Sequence, residues 1–292
     1  MYLSKKKKVF IGLLLWRLIS VFVVQTTHVP DEYWQSLEVA HRLAFGYGYL
    51  TWEWIEKIRN YMYPFLISVI YQLLAFVTLD HVIILTTLPR ILQAIISAYG
   101  EYKFYEWTKN KWTLYSLCIN WYWYYCATHS YCYGMLVISP WEFFRVNVLY
   151  KIGDFVIHQR GSLDVMNILH NEIVNADNTT NILFLTPCHA TPLYSHLHVN
   201  VPIKILTCEP NFEGDINYVD EADMFFANPT QWLDHNYNNN NSIVLPDYII
   251  LFDNIVPKIG EFLKHYQIVS QIFYAHFPQS NYGKYIYVYK HV

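Results

Sequence analysis

Apolar residues fill the first half of the chain in long runs, whereas in the second half they come in short runs separated by polar residues. After Lys5, Lys6, Lys7 and Lys8, an apolar run extends from Val9 to about Val24, interrupted only by Arg17 and small polar residues. Roughly 17 to 20 such residues span a bilayer, so the run predicts a membrane helix. A basic flank before an apolar run also opens a signal peptide, but no small-x-small cleavage site follows. The lysines place the N-terminus in the cytosol by the positive-inside rule. Residues after about 26 then emerge on the far side, which in a eukaryotic secretory setting is the lumen of the endoplasmic reticulum.

From Thr27 to Asn60 the chain is polar and aromatic. Within it, Asp31 to Ala44 has helical apolar spacing through Trp34, Leu37, Ala40 and Leu43, with Pro30 and Asp31 as a helix start. This pattern predicts an amphipathic helix lying at the membrane surface. Apolar stretches follow at about 61–79, 82–100 and 112–138. Four simple crossings would return the second half to the cytosol, whereas Lys103, Lys109 and Lys111 favour a cytosolic position before the last span. Three crossings reconcile these lysines with a luminal C-terminal half if 61–100 crosses once and also holds a re-entrant or surface segment. The sequence leaves both counts open. Arg90 inside an apolar stretch needs a helix end or a partner such as Glu101 or a lipid phosphate, and the helix end is the cheaper reading.

The second half predicts a helix at Ser162 to Val174 and strands at 181–186, 203–208, 248–252 and 286–290. Short helices are expected at Ala222 to Phe226 and Pro257 to His265. Strands alternating with helices argue for a small α/β domain with a largely parallel sheet. The expected architecture is therefore an α-helical multi-span membrane protein with a C-terminal α/β soluble domain. Its segments are a cytosolic tail and first span at 1–26, a luminal loop at 27–60, a membrane-embedded region at 61–153 and a soluble, luminal domain at 154–292.

Composition supports this division, since 54% of the residues are hydrophobic and 15% charged, against about a quarter charged in soluble domains. A net charge of -3 supplies no broad basic surface, so nucleic acid is not an expected partner. The five cysteines form no CxxC pair. Cys188 and Cys208 either bridge in an oxidising lumen or remain free buried thiols. Cys188, His189, His196 and His198 raise a metal site, but no second cluster of ligands accompanies them, and hydrogen-bonded loop histidines are expected instead. Asn178 and Asn240 lie in usable glycosylation sequons if luminal, whereas Pro229 disqualifies Asn228.

Candidate chemistry centres on Asp31 and Glu32. A luminal loop beneath a membrane helix is where a polyprenyl-phosphate sugar can meet its acceptor. Phosphate is already a good leaving group, so the transfer needs a base for the incoming hydroxyl and a basic residue for the departing phosphate. An Asp after a Pro also serves simply to cap a helix.

The run HVPDEYWQSLEVAHRLAFGYGYLTWEW followed by IRNYMYP resembles the opening loop of the dolichyl-phosphate-mannose-dependent mannosyltransferases, the GT-C type glycosyltransferase family 22. The matching positions are His28, Pro30, Asp31, Glu32, Trp34, Gln35, Glu38, His41, Gly46, Gly48, Thr51, Trp52 and Glu53. PCHATPLYSHLH (187–198), DEADMFFANPTQWL (220–233) and the closing IYVYK are similar to the branch of the family that adds the third mannose to the GPI-anchor precursor. The resemblance implies Asp31 as general base and Glu32 as its partner. It implies His28, Trp34, Gln35, His41, Trp52 and Arg59 as substrate-binding positions, with no metal. It further implies a dolichyl-phosphate mannose donor, a GPI-precursor glycolipid acceptor, a GT-C-like membrane fold in the endoplasmic reticulum and inversion in one displacement.

Family members are roughly twice as long, and both terminal regions are recognisable here. Several membrane helices are therefore expected to be missing between about Asp154 and Val156. Near Ala127 to Met135 the chain also departs from the family's Arg-Thr-x-x-Asn-x-x-Glu pattern. A transferase and a catalytically inactive form that retains substrate or partner binding both remain open at this point.

Overall fold

The computed structural model describes residues 5–24, 33–108, 159–174, 180–238 and 244–292. Two compact units share the chain, one from 1–25 with 87–156 and the other from 26–86 with 157–292. The expected span at 112–138, the lysines at 109 and 111, the sequon asparagines and the missing-helix junction lie outside the described residues, as do His28, Asp31 and Glu32.

In the first unit, helix α1 (Lys5–Val23) pairs with the later part of a long helix, Val82–Thr108. The two run antiparallel, since Lys6 meets Glu106 at 3.1 Å, Phe10 packs edge-on to Tyr102 and Arg17 pairs with Glu101. Arg90 donates to the carbonyl of Val24 at 2.6 Å, a cation placed where a helix C-terminus leaves unsatisfied oxygens. Arg90 thus sits inside its helix rather than at the end, and Glu101 is taken by Arg17. Residues 82–107 are long and apolar enough to cross a membrane, the one such helix among the described residues.

The second unit begins with a π-helical turn at Tyr33–Leu37 that continues as α2 (Glu38–Phe45). The helix stops at Gly46, whose φ of +81° is the left-handed cap that glycine supplies without strain. At Gly48, φ is +147° and a Cβ would press on the Arg42 Cβ at 3.1 Å, so the next turn also requires glycine. Short α3 (Trp52–Ile55) and α4 (Met62–Phe76) follow, and then α5, the Val82–Thr108 helix. Pro89 cannot donate to the carbonyl of Leu85 four residues back. The buried Tyr71 hydroxyl of α4 satisfies that oxygen at 2.9 Å.

The rest of this unit is an α/β fold. Helix α6 (Gly161–Ile173) precedes β1 (Ile182–Leu185), the helical turn α7 (Tyr194–Leu197) and β2 (Ile203–Ile205). Helices α8 (Glu221–Ala227) and α9 (Pro229–Leu233) lead to β3 (Tyr248–Phe252), β4 (Tyr266–Phe273) and β5 (Tyr285–His291). The strand order is β2-β1-β3-β5-β4. β1 pairs in parallel with β2 and β3, while β5 is antiparallel to β3 and β4. The sheet is therefore mixed, which corrects the largely parallel expectation. The Pro257 to His265 helix is instead two 3-10 turns, Val256–Lys258 and Phe262–His265.

Strand alternation sends side chains to two apolar layers. Ile182, Phe184, Ile250 and Val288 face α6, α7 and the loop residues Tyr33, Trp34, Leu37 and Ala40. Leu183, Leu185, Ile249 and Leu251 face Phe225, Trp232 and Leu233. The apolar stripe of the 33–45 helix is thus spent on the protein's own core, with only Leu43 among the four predicted positions exposed. That corrects the expectation of a helix laid on the membrane by this face.

Candidate functional site

The segment that follows the acidic pair is held against the loop 187–198, which leaves the carboxyl end of β1. In open α/β sheets the crevice outside the carboxyl ends of parallel strands is the usual ligand position. Here Cys188 after β1 and Cys208 after β2 form a disulfide, which settles the thiol question in favour of the bridge. The loop itself is sharply turned. His189 and His198 have φ of 60° and 47°, conformations that cost a non-glycine residue roughly 1–2 kcal/mol.

Of the substrate-binding candidates, Trp34 is 3% exposed and packs its ring on Tyr49 and His189 at 5.7 and 4.7 Å. Its indole Nε1 and the Gln35 Oε1 are buried with no hydrogen-bond partner among the described residues. Gln35 donates through Nε2 to Glu53 at 2.7 Å, and Glu53 also accepts from Thr51 at 3.0 Å and from Arg59 at 2.8 Å. Burial pushes the Glu53 carboxyl up, but hydrogen bonds from Arg59, Gln35 and Thr51 outweigh it and hold it below the usual carboxylate range. Trp52 stands edge-on to Phe212 at 5.4 Å. A shallow cleft is lined by Tyr49, Thr51, Trp52, His189, Thr207 and Glu209, with the disulfide in its wall.

His41 is fully buried. Its Nδ1 lies 3.2 Å from the Tyr47 carbonyl and its Nε2 3.0 Å from His198 Nδ1. The carbonyl can only accept, so His41 carries its proton on Nδ1 and accepts at Nε2 from His198. Burial first, and the neighbouring His198 second, push His41 down to about 3. Burial also lowers His198, against the pull of Asp80 at 3.6 Å. His41 therefore sits as a neutral strut between the loop and the C-terminal domain, not at the cleft surface.

Glu38, α2's first residue, carries a role that its motif position did not announce. It is fully buried, and its Oε1 accepts from the backbone N–H groups of Leu193 at 2.8 Å and Ser195 at 3.1 Å and from the Ser195 hydroxyl. Burial raises its carboxyl above the ordinary range, opposed by these hydrogen bonds. The 194–198 segment is a helical turn ending in a left-handed His198. No group of three or more histidine, cysteine or acidic side chains able to hold a metal occurs among the described residues.

The profile of the Alg9-like mannosyltransferase family matches residues 8–132. "GPI mannosyltransferase 3" of Drosophila melanogaster is 28% identical over 469 residues, covering 91% of this chain and 83% of the relative. "GPI alpha-1,2-mannosyltransferase 3" of Homo sapiens is 23% identical over 473 residues, covering 94% and 85%. "GPI mannosyltransferase 3" of Yarrowia lipolytica is 41% identical over 106 residues, covering 36% and 20%. Alignments of more than 460 positions exceed the 292 residues of this chain, so each of the two long alignments includes many internal positions of the relative with no counterpart here. No solved structure matches the chain.

Proposed function

We propose that this chain, whose residues 8–132 match the Alg9-like mannosyltransferase family, is a member of that family and transfers an alpha-1,2-linked mannose from dolichyl-phosphate mannose to the GPI-anchor precursor as its third mannose. The observation that carries the reading is the likeness to GPI alpha-1,2-mannosyltransferases along more than 90% of the chain. It joins the first loop and the C-terminal domain in one assignment. Asp31 takes the proton of the acceptor hydroxyl, the new C1–O bond forms as the C1–phosphate bond breaks, and dolichyl phosphate leaves. Glu32 holds or tunes the base, with His28 beside the pair. The cleft beside Trp52 takes the acceptor headgroup, its walls combining aromatic faces with hydroxyl and carboxylate groups, as sugar sites do. Arg59, half-exposed on Glu53, supplies the cation for the departing phosphate. Trp34, Gln35 and His41 shape the loop from below.

A membrane position in the endoplasmic reticulum follows from the same reading. Residues 26–86 and 157–292 make one unit, which supports a common, luminal side for loop and domain. With 15 residues, α4 is about 22 Å long, short of the ~30 Å hydrocarbon core. The turn after it returns to the same unit, where Asp80 meets His198. These features support a surface-lying α4, whose Met62, Phe65, Leu66, Leu73 and Phe76 are exposed, and a single crossing by α5.

One observation favours a second reading, an inactive chain that keeps binding: the many internal positions of the relatives that have no counterpart here. Expression in cells lacking the third-mannose step separates the two. Restoration of GPI-anchored surface proteins by the parent, and not by Asp31→Asn, supports transfer. Failure of the parent at normal abundance rejects it.

A further inference from the structure

The connection from β2 to α8 holds apolar side chains out of the domain's core. Ile216 is 98% exposed and Phe212 56%, and Val219 is exposed as well. Their exposure is built into the loop. The Tyr218 hydroxyl donates to the Glu209 carbonyl at 2.6 Å and closes its base. The Asp215 N–H donates to Asn211 Oδ1 at 3.0 Å, Gly214 turns the chain with a φ of +72°, and the Asn217 N–H donates to Asp215 Oδ1 at 3.0 Å. Just outside this base, Cys208 is bridged to Cys188, and the Ala222 N–H donates to the Thr207 carbonyl at 3.0 Å. Compact loops closed by their own side chains are often functional, and here the closure keeps Ile216 in the open.

Phe212 ties the loop to a second apolar surface. Its ring meets Trp52 of α3, and the chain continues through the exposed Ile55 and Ile58 to Tyr61, which packs on Trp54 at 4.7 Å directly before α4. The exposed stripe of α4 follows, so loop, α3 and α4 make a connected apolar edge within one compact unit. Elsewhere on the C-terminal domain, Ile268 on edge strand β4 and Phe277 in the turn after it are exposed singly. Single apolar residues on a surface are ordinary, whereas a joined set marks an interaction surface. The partner follows from what adjoins the edge. α4 ends at Phe76, and α5, long and apolar enough to cross a membrane, begins at Val82. Charge selects the kind of lipid. From Glu209 to Glu221 the chain has five carboxylates and no lysine or arginine. Cytosolic leaflets are anionic and attract basic segments, so an acidic loop fits a zwitterionic surface instead.

We propose that the 209–219 loop, together with α3 and α4, docks this unit on a zwitterionic bilayer surface, with Phe212 and Ile216 entering the boundary between headgroups and acyl chains. The membrane is then met by this edge and not by the stripe of the 33–45 helix, which the core covers. The cleft lined by Trp52 and Glu209 opens at headgroup level, where a lipid-linked sugar can enter while its tail stays in the bilayer. Only this last consequence rests on the transferase reading.

The experiment reconstitutes the full chain in phosphatidylcholine vesicles containing a lipid with a photoactivatable diazirine on its acyl chain, and maps the label by mass spectrometry. Residues 209–219 and 55–76 should carry label, and the peptides holding Ile268 and Phe277 should carry none above background. Ile216→Asp should cut the label on the loop about tenfold, since burying an isoleucine side chain shifts an equilibrium by at least that factor and a carboxylate reverses the sign. Ile216 has almost no packing to lose, so label on 62–76 should persist in this variant. Adding phosphatidylserine at low salt should lower the loop's label, because like charges repel. Equal label on the loop and on the Ile268 and Phe277 peptides, undiminished label in Ile216→Asp, or a rise with phosphatidylserine overturns the proposal. So does cross-linking of the loop to a second copy or another protein in place of lipid. If the parent transfers nothing, the transferase reading fails on that ground, and the label still decides the docking.

Discussion

Acidification should loosen the 38–47 segment from the C-terminal domain through His41. Its neutral ring donates to the Tyr47 carbonyl and accepts from His198. Its pKa in the closed state is about 3, against 6.5 when released. Between those values the released state binds more protons, so the closed state loses stability as pH falls from 6.5 towards 3 and is unaffected above that window. The slope is about 1.4 kcal/mol per pH unit, or about 2 kcal/mol at pH 5, roughly a thirtyfold shift towards the open state. His198, also lowered by burial, adds in the same direction. Glu38 opposes, because its raised carboxyl takes a proton in the closed state before it would in the released one. His41→Gln isolates the single term, since the amide can donate to Tyr47 and accept from His198 without titrating. Amide exchange of residues 38–47, corrected for the intrinsic pH dependence, should steepen by about tenfold per pH unit below 6.5 in the parent relative to His41→Gln. Parallel pH profiles for the two proteins would refute the assignment of a neutral, buried His41.

Asp31→Asn should abolish transfer by about 10²- to 10⁴-fold without loss of protein, checked by product formation against immunoblot, because general-base help has that size. Cys188→Ser should lower the stability of the C-terminal domain by about 3 kcal/mol, the cost expected for opening a loop of this length, read as a lower denaturant midpoint. Trp52→Ala should raise KM for the glycolipid acceptor while leaving KM for the donor unchanged, checked by steady-state kinetics with each substrate varied. Endoglycosidase treatment should shift the mobility of the expressed chain, and Asn178→Gln with Asn240→Gln should remove the shift if the domain is luminal.

The strands at 182–185, 203–205, 248–252 and 285–291 were legible because each is a short apolar run between polar turns. β4 was not, because it pairs only with β5 at the sheet edge and leaves Gln267, Ile268 and Gln271 exposed. Its burial signal is weak for that reason, and without it the antiparallel end of the sheet could not be anticipated. The apolar stripe of the 33–45 helix was read correctly as a stripe, but periodicity does not say whether lipid or protein covers it. Tyr33, Trp34, Leu37 and Ala40 meet residues more than a hundred positions later. Glu38 and Ser195 were hidden for the same reason. A carboxylate in a motif looks alike whether it faces substrate, water or a distant backbone N–H. The disulfide stayed open because cysteine spacing alone does not fix the compartment.

The most direct measurement incubates membranes containing this chain, from cells lacking the third-mannose step, with dolichyl-phosphate mannose and the accumulated two-mannose GPI precursor, followed by mass analysis of the glycolipid. Addition of one hexose, absent with Asp31→Asn and removable by an alpha-1,2-mannosidase, is the outcome expected of a third-mannose transferase. An unchanged precursor at a protein level that supports glycosylated, disulfide-bonded chain, or a hexose in another linkage, would contradict it.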